Sequence, residues 1–339
     1  MSHRTILGAL SAIAVAAALG TGPAAAADPF VVKIGSFTPP RSTFLLEITI
    51  PWLRKIEQDS GNTIKFQEYW GGQLIRAPAK QFEGMMNGIQ DAAQILPSYT
   101  QALFPQFSVF SLPFIFRGAG AAEGAFAAWK LHEQGLLGGL DRVYVTAVYT
   151  NDNSGLHFNR EIKSIDEIKG LKVRVAGPEE AEVVQTLGLV PVALGTPQVP
   201  ESLNRGVIQG TLTGWSAINI FRITPLIKTH VDLPMGVRSF FVAIRKEAYD
   251  KLPRKAKDSI AKNEGLGISL ALGRYYEADG RRMRTNTQGR KLIDVSDEEQ
   301  EKLFERFKKF HDAWIAESPD RAAKYKAIQE ILAEHRRSS

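Results

Sequence analysis

Ser164-Ile165-Asp166-Glu167-Ile168-Lys169-Gly170-Leu171-Lys172-Val173-Arg174-Val175 compresses a fold into twelve residues. Ser164 followed three positions later by Glu167 is the pattern of a capping box, so a short helix is predicted to begin there. Gly170 stops it. Leu171, Val173 and Val175 then alternate with Lys172 and Arg174, which is the period of a half-buried strand. Glu179 to Leu187 has helical spacing, and Val190-Pro191-Val192 reads as a further strand. The order is β-α-β, an alternation that predicts a parallel sheet with covering helices.

The same rhythm occurs upstream. Val31 to Phe37 reads as a strand that runs into Thr38-Pro39-Pro40. A helix is predicted from Phe44 to Gln58, with Leu45, Ile48, Trp52 and Ile56 on one side. Thr63–Trp70 is a second strand, Phe82–Gly88 a short helix, and Asp91–Leu96 a third strand. Arg142–Thr150 and Val237–Arg245 are longer strands. Lys255 to Arg284 reads as one long helical stretch, with Gly265 and Gly267 inside it. Ser296-Asp297-Glu298-Glu299 is a second capping box, opening a helix with Phe304, Phe307 and Trp314 on one face. Ser318-Pro319 opens the last helix. Two α/β blocks with no flexible linker between them predict two domains that the chain crosses more than once. Such domains enclose a cleft, a common ligand site.

The first 27 residues address the chain rather than fold it. Arg4, an apolar run from Ile6 to Leu19, the breakers Gly20, Gly22 and Pro23, and Ala25-Ala26-Ala27 form a secretory signal peptide cleaved before Asp28. The run is too short for a membrane span, and later apolar runs are interrupted by charge or Pro. The expected compartment is the periplasm. The net charge of +6 becomes +5 without Arg4, 41 basic against 36 acidic residues. The basic residues are dispersed, so nucleic-acid binding and stable membrane insertion are not expected.

Catalytic signals are poor. The chain has 0 Cys, which removes thiol nucleophiles and Cys-type metal centres. There is no P-loop, no G-x-S-x-G elbow and no H-E-x-x-H. The 6 His lack a ligand spacing, so no metal or other cofactor is expected. Glu179 and Glu180 read as first-turn helix acids. Arg174 stands out: it points away from the three apolar residues of its strand, at the carboxyl end that faces the crevice in open α/β sheets. A guanidinium there can grip a carboxylate through two parallel charged hydrogen bonds.

Residues 164–175 resemble the "D-L-K-G-L-K-I-R" block of DctP-type substrate-binding proteins of tripartite ATP-independent periplasmic (TRAP) transporters. Further blocks follow in the same order: Trp70-Gly71-Gly72-Gln73-Leu74, Asn87-Gly88-Ile89-Gln90-Asp91, Phe104-Pro105 with Ser111-Leu112-Pro113-Phe114, Leu203 to Gly210, and Tyr249 to Pro253. The likeness spans residues 30–320. It implies a venus-flytrap α/β receptor with its ligand cleft between two domains and a long shared helix. The expected division is 28–150 plus 239–278 for domain I and 151–238 plus 279–339 for domain II.

By the same resemblance Arg174 clamps a ligand carboxylate, and membrane subunits of the transporter are partners. The second ligand Arg that many members carry within the segment matching 151–155 is missing here, and Gln209 replaces an Asp. Asn151 and Thr213 lie in the corresponding ligand segments. Phe37, Trp70, Tyr99, Trp215 and Phe240 sit at strand ends and are expected to surround the ligand. The combination implies a non-enzymatic receptor for an organic monocarboxylate, aromatic by the character of these side chains. An exported hydrolase acting on a small acid, a C4-dicarboxylate receptor and a sensor-coupled receptor remain as alternatives.

Overall fold

The computed structural model describes residues 28–338, so the signal peptide expected over 1–27 lies outside the described residues. The strands in chain order are β1 (Phe30–Gly35), β2 (Ile64–Tyr69), β3 (Ala92–Ile95), β4 (Val143–Thr150), β5 (Ser154–Phe158) and β6 (Lys172–Val175). They continue with β7 (Val190–Ala193), β8 (Gly210–Gly214), β9 (Thr229–Asp232), β10 (Ser239–Arg245) and β11 (Lys291–Asp294). Two sheets result, ordered β2-β1-β3-β10-β4 and β11-β9-β5-β8-β6-β7. Pro191 falls on β7, an edge strand, where a missing N–H is tolerated.

The sheets are mixed rather than parallel. β10 runs antiparallel to both β3 and β4, and β5 antiparallel to both β8 and β9. Each is the first strand laid down after the chain crosses from one sheet to the other, so it enters from the crossing end. The carboxyl ends of β3, β4, β6 and β8 therefore converge on the space between the sheets, and that geometry fixes where a site can form.

Three segments make the crossings. Residues 151–153 join β4 to β5, residues 233–238 join β9 to β10, and the helix Leu266–Thr285 packs on β4 and the helix Ala121–Glu133 of one lobe and on the helix Trp215–Ile220 of the other. The long helical stretch expected over 255–284 is broken. One helix ends at Asn263 and the next begins at Leu266, because Gly265 sits at φ 97°, a left-handed backbone that ends an α-helix. The helix expected at Ser164 is a single 3-10 turn, Ile165–Ile168, and Ser164 makes no side-chain cap. Instead the Glu167 carboxylate accepts the Lys163 N–H at 2.9 Å. The box at Ser296 and the N-cap at Ser318 do cap, accepting from the N–H of Glu299 and Arg321.

Core packing follows the two sheets. One face of the first sheet buries Val32, Ile34, Phe44, Leu53 and Tyr276, and its other face buries Phe104, Phe110, Val148 and Phe241. The second sheet buries Leu156, Phe158, Val173, Val183 and Phe307. The C-terminal helix Pro319–Ser338 joins the first lobe through Ile328, Ile331 and Leu332, and Arg336 pairs with Glu123 at 2.8 Å. Among the described residues no helix is long and apolar enough to cross a membrane.

Candidate functional site

Arg174 is 0% exposed, a burial that charged side chains reach only with partners in place. β6 carries it to the cleft end of the second sheet. Its Nε donates to the Leu194 carbonyl at 2.8 Å, and one terminal nitrogen donates to the Tyr99 hydroxyl at 2.8 Å and to Thr196 Oγ1 at 3.0 Å. Tyr99 belongs to the other lobe and also accepts the Thr196 N–H at 2.8 Å. The bonds therefore tie the lobes together across the cleft. The remaining terminal nitrogen, Nη1, is buried with no hydrogen-bond partner. Burial lowers the Arg174 pKa, while the Tyr99 hydroxyl opposes that shift.

A second buried cation stands beside it. Arg238, at 3% exposure, lies at the end of the 233–238 crossing, just before β10. Four of its five N–H donors are engaged: Nε with Glu180 at 2.5 Å, Nη2 with Glu180 at 2.8 Å and with the Leu212 carbonyl at 2.5 Å, and Nη1 with Thr213 Oγ1 at 2.7 Å. Asn151 Oδ1 accepts the Arg238 backbone N–H at 2.7 Å. Burial works against charge on both members of the Arg238–Glu180 pair. Their mutual attraction outweighs it, raising the Arg238 pKa and lowering that of Glu180. Glu180 is a first-turn acid of the helix Pro178–Thr186, as read from the sequence, and it is also buried and bidentate to Arg238.

Between Arg238 and the first lobe lies a narrow cavity of about 30 Å³. Its polar wall is Asn151, Thr196, Thr213 and Arg238. Its apolar wall is dominated by Phe37, Phe44, Phe221, Phe240 and Tyr276, closed by Leu96 and Ile220. An open groove holding Arg41, Asn219 and Arg222 shares Phe37, Ile220 and Phe221 with the cavity and forms its mouth. Gly177, next to the end of β6, permits the close approach of the lobes: a Cβ there would collide with the Ser98 carbonyl.

Of the expected site residues, the structure gathers six. Phe37, Asn151, Thr213 and Phe240 line the cavity. Tyr99 packs edge-on against Phe37 at 5.7 Å, and Arg174 meets the cavity wall through Thr196. The other two lie elsewhere. Trp70 is packed in the first-lobe core, its indole N–H donating to Glu68 at 2.9 Å. Trp215 sits against the rings of His157 and His230, centroids 4.9 and 4.5 Å away. It lines a separate cavity behind the crossings with Asp152 and Gly280. Both tryptophans end or follow strands as expected, but their side chains point away from the cleft.

Sequence reading missed Arg238, Thr196, Phe221 and Tyr276. One signal for Arg238 was present: it is the lone charge in Met235-Gly236-Val237-Arg238-Ser239-Phe240-Phe241-Val242, a stretch otherwise suited to burial. Thr196 and Phe221 lie in connections after β7 and after the helix Trp215–Ile220, where no periodicity marks a side chain's direction. Among the described residues no three His, Asp or Glu side chains converge as a metal site would require.

Comparison with known proteins agrees with this architecture. A TRAP solute-binding protein from Rhodoferax ferrireducens, solved with copurified benzoate, superposes with a TM-score of 0.83 at 24% identity, covering 91% of this chain and 99% of that one. One from Bordetella bronchiseptica, solved with (R)- and (S)-mandelate, gives 0.80 at 22% identity over 90% and 99%. In sequence, the C4-dicarboxylate-binding periplasmic protein DctP of Rhodobacter capsulatus is 24% identical over 281 residues, 80% of this chain and 82% of that protein. Residues 34–318 match the DctP family, described as bacterial extracellular solute-binding protein, family 7, and the chain belongs to that family of non-enzymatic periplasmic receptors.

Proposed function

We propose that this receptor binds an organic monocarboxylate with an aromatic body and delivers it to the membrane subunits of a TRAP transporter. The observation that carries the reading is Arg174 Nη1: a buried nitrogen with no partner, on a guanidinium whose Nη2 bonds Thr196 in the wall of a cavity lined by aromatic rings. An unmet buried donor on a charged group is costly, and a ligand carboxylate would satisfy it. The Arg174 clamp would act with Thr196, Thr213 and Asn151 around the carboxylate. Phe37, Phe221, Phe240 and Tyr276 would pack on the ring, whose flat apolar faces suit such walls.

Closure excludes water and strengthens the charged hydrogen bonds, so ligand binding and lobe closure reinforce each other. We infer two lobes divided at 150/151, 238/239 and 278/279, with the C-terminal helix riding on the first. The bound acids of the Rhodoferax and Bordetella proteins, benzoate and mandelate, support the class. The dicarboxylate named for the Rhodobacter relative is the competing class.

Calorimetric titration with benzoate, 3-hydroxybenzoate, mandelate and succinate tests the reading in wild type and Arg174→Ala. Monocarboxylates are expected to bind more tightly than succinate. Arg174→Ala should cost about 2–5 kcal/mol, a loss of roughly thirtyfold to several-thousandfold. Arg174→Lys should recover only part, since an ammonium lacks the planar fork. Near-normal affinity in a folded Arg174→Ala protein would refute the clamp.

A further inference from the structure

We propose that Glu180 sets the charge of the ligand this receptor accepts: by neutralising Arg238 it leaves the site with one uncompensated cation, Arg174, and so selects a monoanion over a dianion. This rests on the proposed carboxylate-binding role of the same cavity. Two buried guanidinium groups stand at the polar end of the cavity, Arg238 lining it and Arg174 hydrogen-bonded to its Thr196, a pattern that on its own suits two carboxylates. Glu180 changes the count. Its two oxygens take Nε and Nη2 of Arg238 at 2.5 and 2.8 Å, and one also accepts the Ala176 N–H at 2.8 Å. Two further Arg238 donors go to the Thr213 hydroxyl and the Leu212 carbonyl, so Glu180 and these groups hold the guanidinium in place without a ligand. Among the described residues Arg174 has no carboxylate within salt-bridge distance.

The nearest other acid felt by Arg238 is Asp152. Its carboxyl faces Ser216 and the cavity behind the crossing, and burial raises its pKa to about 7, so it is mainly neutral at pH 6. One cation then remains to be met. A second carboxylate in the ligand would lie buried near Glu180 with its counter-charge already spent, which is unfavourable.

The test uses two ring acids of the same shape, 3-nitrobenzoate and isophthalate (1,3-benzenedicarboxylate), which differ in one charge. Titrations run at pH 6 in wild type, Glu180→Gln and Glu180→Gln/Arg238→Gln. Wild type is expected to prefer 3-nitrobenzoate. Glu180→Gln frees the Arg238 charge, and the ratio of the two Kd values should move at least tenfold toward isophthalate. The double variant removes both charges and should return the ratio to the wild-type preference. An unmoved ratio in a Glu180→Gln protein with native circular dichroism overturns the proposal.

If Glu180→Gln fails to fold, the double variant decides. Retained preference for 3-nitrobenzoate supports the charge count, while loss of all carboxylate binding overturns it, because Arg238 would then be the ligand's partner. Wild type that binds neither acid nor any other monocarboxylate would count against the receptor's proposed ligand class. Wild type that binds 3-nitrobenzoate with an unmoved ratio would count against the role of Glu180 alone.

Discussion

Asp152 lies on the 151–153 crossing, and its replacement by Asn should change how stability depends on pH. The carboxyl is 1% exposed and accepts from the N–H and hydroxyl of Ser216. Gly214 and Gly280 press on it so closely that a Cβ at either would collide with it. Desolvation raises its pKa from 3.8 to about 7, with the Ser216 hydrogen bonds opposing the rise. Between about pH 4 and 7 the unfolded chain has released this proton while the folded chain still holds it. Stability therefore falls as pH rises across that window, by about 1.4 kcal/mol per pH unit, and is flat above it.

The full effect is on the order of 4 kcal/mol. His157 and His230 mask it by acting in the opposite direction. His157 Nε2 donates to the Thr213 carbonyl at 3.1 Å, which leaves its Nδ1 to accept from His230 Nδ1 at 2.7 Å, so both rings are neutral. Burial depresses the His157 pKa well below its usual value and takes that of His230 to about 4, so their stabilisation is lost as pH falls below about 6.5. The diagnostic is therefore the difference between Asp152→Asn and wild type in urea unfolding at intervals from pH 4 to 8. The variant should gain on wild type steadily up to about pH 7 and then hold level, because the neutral amide keeps a Ser216 partnership without a charge to bury. A difference that does not vary with pH would refute the assignment of Asp152 as the buried acid behind it.

Other expectations concern the cleft. Gly177→Ala should weaken ligand binding by about 1–3 kcal/mol while leaving the thermal midpoint of the empty protein nearly unchanged, since the added methyl meets Ser98 only where the lobes close; equal affinity by calorimetry would show that the lobes need not approach so closely. Tyr99→Phe removes the hydroxyl that accepts from Arg174 and Thr196, and should cost about 1–3 kcal/mol of affinity in the same titration. Trp70→Phe and Trp215→Phe should change affinity by less than a few fold, because neither indole lines the cleft cavity; a tenfold loss in either would place an indole at the ligand after all. Dialysis against EDTA should leave affinity unchanged, and recovery of binding only on adding back a divalent cation would contradict that.

Much of the fold was legible because it is carried by short-range pattern. The alternation Leu171-Lys172-Val173-Arg174-Val175 announces a strand with one face buried, whatever it packs against. The glycines and prolines that punctuate it announce the α/β order. Arg174 was legible as a candidate for a related reason: it is a charge opposite the apolar face at the carboxyl end of a strand, the end that faces the crevice in open α/β sheets. The capping pattern at Ser164 misled, because a favourable local sequence does not guarantee the reach of a side chain once Glu167 is taken by the Lys163 N–H. Gly265 was read through as helical because a single glycine costs a helix only about 1 kcal/mol, too little for sequence alone to decide a break.

The sequence by itself determined the element order, the two α/β blocks, the place of Arg174 at a strand's carboxyl end and the family, since periodicity and motif order are properties of neighbouring residues. Only the tertiary structure decided which charges meet. Glu180 and Arg238 are 58 positions apart, and Arg174 and Tyr99 are 75 apart. No local pattern encodes pairs whose distance is set by two crossings and the register of separate sheets. The direction of Trp215 away from the cleft is of the same kind: it depends on the aromatic and imidazole neighbours that β5 and β9 bring to it, and burial against them decides where the indole rests.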